Sequence, residues 1–368
     1  MSTLQQPAIH VLVVDDSAVV REVLTAILSL EPGIAVAAAS DPLIAMNKMK
    51  QQRPDVVVLD LDLPRMDGIT FLQKIMREDP LPVVICSALT GPNTSIGLQA
   101  LEEGAVDVIT KPRIAVREFL HESAVLLTDV VRAAARSGGK LPYATTSSRF
   151  ARRTAARHRP EERYSVSQVR SDTITAIGAS TGGTEALRQI LEAMPVNAPG
   201  LLVVQHMPEG FTAAFAQRLD RTCRIEVKEA VHGDSVLSGR ALIAPGNRHM
   251  LVRQSGSRWD IEISDGPLVS RHRPSVDVLF RSVAQHAGAN ARGVILTGMG
   301  SDGAAGLLEM RRAGAFTIAQ DEASSVVFGM PKEAIERGAV LKVAGLAQIP
   351  YEILHSSVEQ QRVVLRMK

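Results

Sequence analysis

The chain has 368 residues, more than one hydrophobic core ordinarily serves, so two domains are expected. Hydrophobic residues make up 45% but aromatics only 3%, which points to aliphatic α/β cores and away from the basic–aromatic surfaces of single-strand nucleic-acid binders. A formal net charge of +2 likewise offers no field that would select nucleic acid. Cys86 and Cys223 stand far apart in apolar runs, without the spacing of a disulfide framework or a zinc site. Residues 1–7 lack the basic and apolar regions of a signal peptide, and no apolar run reaches membrane-spanning length, so a cytoplasmic, non-membrane-spanning protein is expected.

From Ile9 to about Leu127, short apolar strands alternate with helical segments. The strands are expected at Val11 to Val14, Ile34 to Ala38, Val56 to Leu59, Val83 to Cys86 and Val106 to Ile109. Between them the apolar spacing is helical, as in Val19, Val23, Leu24, Ile27 and Leu28. Five such units predict a doubly wound parallel sheet, (βα)5, covered on both faces. Functional groups in such sheets collect at the C-terminal strand ends. Here those ends carry Asp15-Asp16, Asp60, Ser87 and Thr110-Lys111-Pro112. Converging carboxylates repel unless a cation sits among them, and an all-oxygen ligand set suits Mg²⁺. Each aspartate alone reads as a helix cap or turn former. That reading does not account for Asp15, Asp16, Asp60, Ser87 and Lys111 together.

With these residues in place, residues 8–128 resemble a response-regulator receiver domain. The likeness rests on Asp15, Asp16, Asp60 within Val58-Leu59-Asp60-Leu61-Asp62-Leu63-Pro64-Arg65-Met66-Asp67-Gly68, Ser87, and Lys111-Pro112. It implies that Asp60 takes a phosphoryl group from a histidine kinase. It also implies that Asp15, Asp16 and Asp60 hold Mg²⁺, and that Ser87 and Lys111 stabilise the phosphoryl oxygens. Leu63 stands where methionine is commoner, and Val108 stands where an aromatic often relays the change.

A linker is expected over residues 129–171. From about Arg136 the periodicity is lost, a Ser137-Gly138-Gly139 stretch opens, and Arg149, Arg152, Arg153, Arg157, Arg159, Arg163 and Arg170 follow. The run reads as a solvated tether, with contact to an acidic partner as the alternative.

A second α/β pattern occupies residues 172–365. Strands are expected at Ile174 to Ile177, Leu201 to Val204, Ala241 to Ile243, Val294 to Leu296 and Ala315 to Ile318. The first runs into Gly178-Ala179-Ser180-Thr181-Gly182-Gly183 and then a helical segment, so Ser180 lies on a strand-to-helix turn. On its own that stretch is a nucleophile's turn or a phosphate cradle. The second strand leads to Gln205-His206, and the fourth to Thr297-Gly298-Met299-Gly300-Ser301-Asp302. Serine, histidine and carboxylate thus fall at one edge of one sheet, a Ser-His-Asp constellation by position. His232, His249 and His272 compete for the base role, and Asp234, Asp277 and Asp321 for the carboxylate. The chain order Ser…His…Asp argues against an α/β-hydrolase, which runs Ser…Asp/Glu…His.

That order, with Ala244-Pro245-Gly246, Pro274-Ser275-Val276-Asp277 and Phe328-Gly329-Met330-Pro331, resembles the catalytic domain of the chemotaxis methylesterases, the CheB family. The resemblance implies hydrolysis of glutamate γ-methyl esters on chemoreceptors, and deamidation of receptor glutamines by the same machinery. Ser180 would be the nucleophile, His206 the base and Asp302 its orienting carboxylate, with the backbone N–H of Met299 binding the oxyanion and no cofactor for the ester reaction. A receiver tethered to an esterase further implies phosphorylation-controlled access to the Ser180 edge. The same chemistry in another signalling pathway, or a non-catalytic scaffold, are the alternatives. A C-terminal helix-turn-helix is not visible, which disfavours a transcription factor.

Overall fold

The computed structural model describes residues 9–87, 93–111, 117–137, 173–256 and 258–355. Two compact units divide between Ser148 and Arg149.

The first unit is built from β1 (Ile9–Val14), α1 (Ala18–Ser29), β2 (Ile34–Ala39), α2 (Pro42–Gln51), β3 (Val56–Leu59), α3 (Gly68–Glu78), β4 (Val83–Ser87), α4 (Asn93–Glu102), β5 (Asp107–Thr110) and α5 (Arg117–Arg136). Its strands pair in the order β2-β1-β3-β4-β5, all parallel. The β-branched runs of β3 and β4 are buried at every residue, as a strand covered on both faces requires. Helix starts follow side-chain chemistry. The Ser17 hydroxyl accepts from Val20 N, Asp41 accepts from Leu43 N and Ile44 N ahead of Pro42, and Asp67 accepts from Thr70 N. The last helix continues to Arg136, into the segment expected as linker, because Leu127, Val130, Val131 and Ala134 keep one face buried at helical spacing. The arginine-rich stretch from Arg149 to Arg170 and Pro112 lie outside the described residues.

The second unit carries a larger parallel sheet, in the order β14-β13-β12-β6-β7-β9-β8. Its strands are β6 (Ile174–Ala179), β7 (Gly200–Gln205), β8 (Glu226–Glu229), β9 (Arg240–Ile243), β12 (Ala291–Ile295), β13 (Phe316–Gln320) and β14 (Lys342–Ala344). An antiparallel hairpin, β10 (His249–Ser255) with β11 (Arg258–Ser264), forms its own two-stranded sheet and adds Met250, Val252 and Ile261 to the core of this unit. The helices are α6 (Gly183–Glu192), α7 (Phe211–Thr222), α8 (Val276–His286), α9 (Ala304–Arg312), α10 (Met330–Glu336) and α11 (Ile349–His355). One aliphatic core joins Ile174, Leu202, Val204 and Ile295 of the sheet to Leu279 and Phe280 of α8 and Leu307 and Met310 of α9.

Three elements depart from the expected pattern. β8 and β14 are edge strands, largely half-buried or exposed, and carry too few apolar residues to register as strands. The β10–β11 hairpin turns at Gly256, which has φ +62°, and its strands bury only His249, Met250, Val252 and Ile261. So few buried positions leave no two-residue period along β10 to mark the hairpin in the sequence.

Candidate active site

Both chemically rich clusters lie at the C-terminal ends of parallel strands. In the second unit, β6 is paired with β7 on one side and β12 on the other. The loops after these three neighbours carry Ser180, His206 and Asp302.

Ser180 closes β6 at the turn into α6. Its N–H donates to Thr297 O (3.0 Å), and its carbonyl accepts from Gly183 N (2.7 Å). Gly182 takes φ +77°, and a Cβ at Gly183 would lie 2.2 Å from Gln205 Oε1, so the turn needs both glycines. The serine is 9% exposed. Gln205 bridges the two neighbouring loops. Its Nε2 donates to Ser180 O (2.9 Å) and to His206 O (3.1 Å). His206 N donates in turn to Ala179 O (3.1 Å).

The His206 ring turns Nε2 to Asp302 Oδ2 at 2.8 Å, while its Nδ1 is buried without a partner. Among the described residues no hydrogen bond joins the Ser180 hydroxyl to His206. Serine and histidine are held together through backbone and the Gln205 amide, histidine and aspartate through side chains. Such contacts in ligand-free enzymes commonly tighten only when substrate arrives.

Asp302 is 1% exposed and saturated with donors. Besides His206 it accepts from Ser275 Oγ (2.7 Å), Val276 N (2.7 Å) and Asp277 N (3.1 Å). The last three belong to the N-terminus of α8, where orphan amides and the helix dipole favour an anion. Burial works to raise its pKa, but the hydrogen bond and charge of His206 and the other donors hold it below the usual carboxylate range.

In the first unit, Asp15 and Asp60 are buried and Asp16 is exposed, with one carboxylate oxygen from each lying within 4.8 Å of the others. Lys111 Nζ sits 2.7 Å from Asp60 Oδ2 and 2.9 Å from Asp15 Oδ2. Burial pushes the Asp60 carboxyl up to about 6 against the opposing pull of Lys111. Burial disfavours the Lys111 ammonium, but Asp60 and Asp15 outweigh it and raise its pKa. Asp60 Oδ1 and Ser87 Oγ are buried with no hydrogen-bond partner. Two buried polar atoms left open beside a carboxylate cluster are what a cation and a phosphoryl group would satisfy, so the residues fit Mg²⁺. Val108, at the position where receivers often carry an aromatic, is a buried core residue of β5.

Sequence comparison decides the family. A model of the CheB methylesterase matches residues 175–353, and one of the response regulator receiver domain matches residues 11–122. Over 347 residues the chain is 58% identical to protein-glutamate methylesterase/protein-glutamine glutaminase 5 of Anaeromyxobacter dehalogenans, covering 94% of this chain and 96% of the relative. The chain belongs to the CheB methylesterase family. A second relative, protein-glutamate methylesterase/protein-glutamine glutaminase 2 of Rhodospirillum rubrum, is 54% identical over 362 residues, 95% of this chain and 98% of its own length. The CheB methylesterase catalytic domain of Thermotoga maritima is 38% identical, with a TM-score of 0.49 over 50% of this chain and 97% of that one. The chain is therefore a carboxylic ester hydrolase fused to a response-regulator receiver.

Within this methylesterase, the rival histidines and aspartates have other occupations. His249 is buried as a structural bridge, its Nε2 donating to Pro267 O and its Nδ1 accepting from Ser275 N. His232 Nδ1 accepts from Ile263 N. Asp234 pairs with Lys228, Asp321 caps the turn at Ser324, and Asp277 accepts from Gly306 N. Met299 lies one residue beyond Gly298, whose hypothetical Cβ would come 2.7 Å from Ser180 Cβ. Two contributors were missed by sequence reasoning, Gln205 and Ser275. Both sat inside motifs already noted, but their role is a contact between loops distant in the chain, which spacing does not reveal. Among the described residues no helix is long and apolar enough to cross a membrane.

Proposed function

We propose that this methylesterase hydrolyses glutamate γ-methyl esters on chemoreceptors, and deamidates receptor glutamines, under control of phosphorylation at Asp60. The observation that carries the catalytic part is the 2.8 Å contact between His206 and Asp302 beside the glycine-built turn of Ser180. Ser180 Oγ attacks the ester carbonyl. His206 takes the hydroxyl proton at Nδ1, the nitrogen that Asp302 leaves open, and passes it to departing methanol. Asp302 keeps the other nitrogen protonated and stabilises the imidazolium. The N–H of Met299 stabilises the oxyanion, a contribution typically of about 3 kcal/mol for one such donor. Water then hydrolyses the acyl-serine, with His206 as base again. Deamidation differs only in releasing ammonia.

In the receiver, Asp60 takes the phosphoryl group of a histidine kinase. Asp15, Asp16 and Asp60 would hold Mg²⁺, which neutralises charge on the group in transfer. Lys111 pairs with the phosphoryl oxygens in place of the two carboxylates, and Ser87 Oγ donates to one of them. The ester reaction requires no cofactor.

The test uses the full chain and methylated receptor membranes. Ser180→Ala should abolish methanol release while Asp60 still takes phosphoryl from acetyl phosphate. Phosphorylation should raise turnover of the unaltered chain and leave Asp60→Asn unmoved. Turnover surviving in Ser180→Ala removes the serine from the mechanism.

A further inference from the structure

A second imidazole lies flat on the first. The rings of His206 and His272 stack with centroids 3.7 Å apart and planes 10° from parallel. Nothing in the acid–base chemistry above uses His272. The segment that carries it is nonetheless built with care. Val269 and His272 exchange both backbone hydrogen bonds, Val269 N to His272 O at 3.1 Å and His272 N to Val269 O at 2.9 Å. The two residues between them, Ser270 and Arg271, both take left-handed backbone, φ +52° and +68°. For non-glycine residues that conformation costs about 1–3 kcal/mol each and persists only where surrounding structure enforces it. Arg273, next in the chain, supplies the enforcement. Its guanidinium reaches Asn247 Oδ1 (2.8 Å) and the carbonyls of Asp265 (3.2 Å) and Gly266 (2.9 Å). Two residues on, Ser275 holds Asp302. One short strained segment thus touches both the face of the His206 ring and the carboxylate at its edge.

We infer that His272 is a positioning residue for His206, its ring fixing the plane of the catalytic imidazole through stacking. The Asp302 contact fixes one point of that ring and leaves rotation about the Nε2–Asp302 axis free. A flat neighbour at van der Waals distance removes this freedom, so Nδ1 stays aimed where the serine proton arrives. Face-to-face packing also tolerates the charge that His206 acquires. A neutral ring accepts a cation on its face, whereas a charged one would repel it. His272 stays neutral, because burial pushes its pKa down to about 3, with His206 and Arg271 adding to the shift and Asp302 opposing it.

This inference rests on His206 being the base, so the experiment separates the two. His272→Ala, His272→Leu and His272→Phe are compared in the full chain, with Ser180→Ala alongside, by kcat and KM for methanol release and by thermal midpoint. Phenylalanine keeps a flat face without a titrating nitrogen, and leucine fills volume without a face. The expected result is kcat within about threefold of the unaltered chain for phenylalanine. Alanine and leucine should lose about 10- to 100-fold in kcat with KM changed less than about twofold, as small misplacements of reacting groups do. Three results overturn the inference: unchanged kcat in all three variants, a loss confined to KM, or phenylalanine as impaired as alanine. Losses that track the thermal midpoint across the variants also overturn it, since His272 would then be structural only. Turnover in Ser180→Ala would instead overturn the serine mechanism itself.

Discussion

Asp302→Asn tests how the carboxylate acts, because the structure decides which way the amide would sit. Asp302 Oδ2 accepts from His206 Nε2 and Val276 N, and Oδ1 accepts from Ser275 Oγ and Asp277 N. If the asparagine NH₂ took the Oδ2 place, it would strand Val276 N, now bonded at 2.7 Å, and force His206 to carry its proton on Nδ1, which is buried without a partner. If the NH₂ took the Oδ1 place, it would strand Asp277 N, the longest contact at 3.1 Å, and donate to the Ser275 oxygen, whose freely rotating O–H would turn away from it. The second orientation gives up the longest contact and a hydroxyl that can rotate, rather than the 2.7 Å Val276 amide and the imidazole tautomer, and should prevail. His206 then keeps its useful tautomer and loses only the charge beside it. Replacing a charge-assisted hydrogen bond by a neutral one weakens it by about half, so kcat should fall about 10- to 100-fold, or about 1.4–2.7 kcal/mol. An inverted tautomer would cost about 10⁴-fold instead. The stranded amide should cost about 1–3 kcal/mol of stability, and a domain of this size loses about 2–4 °C in Tm per kcal/mol. The pH dependence follows from the depressed pKa of Asp302. A carboxyl whose folded pKa lies below its unfolded value contributes stability above about pH 4 and loses it as pH falls through the folded pKa. The Tm gap between the two proteins should therefore narrow on acidification below about pH 4. Methanol release and calorimetry measure both effects. A loss near 10⁴-fold refutes the orientation argued here, and a loss under threefold refutes the role of the charge.

Gly298→Ala should cut kcat at least about 100-fold. The new Cβ would lie 2.4 Å from Met330 Sδ, which can yield, and 2.7 Å from Ser180 Cβ, which is fixed to the backbone and must carry the nucleophile away. Turnover within fivefold of the unaltered chain would show that the turn relaxes at little cost. Lys111→Met removes the cation from between two buried carboxylates and should destabilise the first unit by about 3–5 kcal/mol in EDTA. Excess Mg²⁺ should restore part of that loss, read as thermal midpoints with and without metal. Equal midpoints in EDTA would mean that Asp60 or Asp15 simply takes up a proton.

The legible parts of this chain are those where burial is periodic. Strands covered on both faces, such as Val56–Leu59 and Val83–Ser87, appear as valine-rich apolar runs that lead to the reactive residues Asp60 and Ser87. Ser180, His206 and Asp302 could be read for that reason. β8, Glu226–Glu229, was not readable because only Val227 is buried at a sheet edge. α5 runs past the expected start of the linker; its last buried residues, Val130, Val131 and Ala134, stand among arginines and other alanines that blur the period. His272 competes for the base role by residue type, but it does not follow a buried strand as directly as His206 does. Its actual place depends on a turn of two left-handed residues and an arginine clamp, neither of which has a periodic signature.

Strand order explains why the three groups meet although they are widely spaced in the chain. β6 lies between β12 and β7, so the loop bearing Ser180 is flanked by the loop bearing Asp302 on one side and that bearing His206 on the other. Asp302 and His206 meet across the loop that bears Ser180, and α8 holds the carboxylate there by presenting Ser275, Val276 and Asp277 to it. The same helix packs Leu279 and Phe280 into the core. Rigidity in the core is thereby transmitted to a carboxylate oxygen, and from it to the imidazole 2.8 Å away. The arrangement carries an electrostatic cost. A carboxylate already satisfied by three donors from α8 has less charge to offer His206, so the imidazolium is stabilised less than by a bare carboxylate. Orientation is what the site gains, which is why loss of charge in Asp302→Asn should hurt less than loss of the ring plane combined with loss of the tautomer.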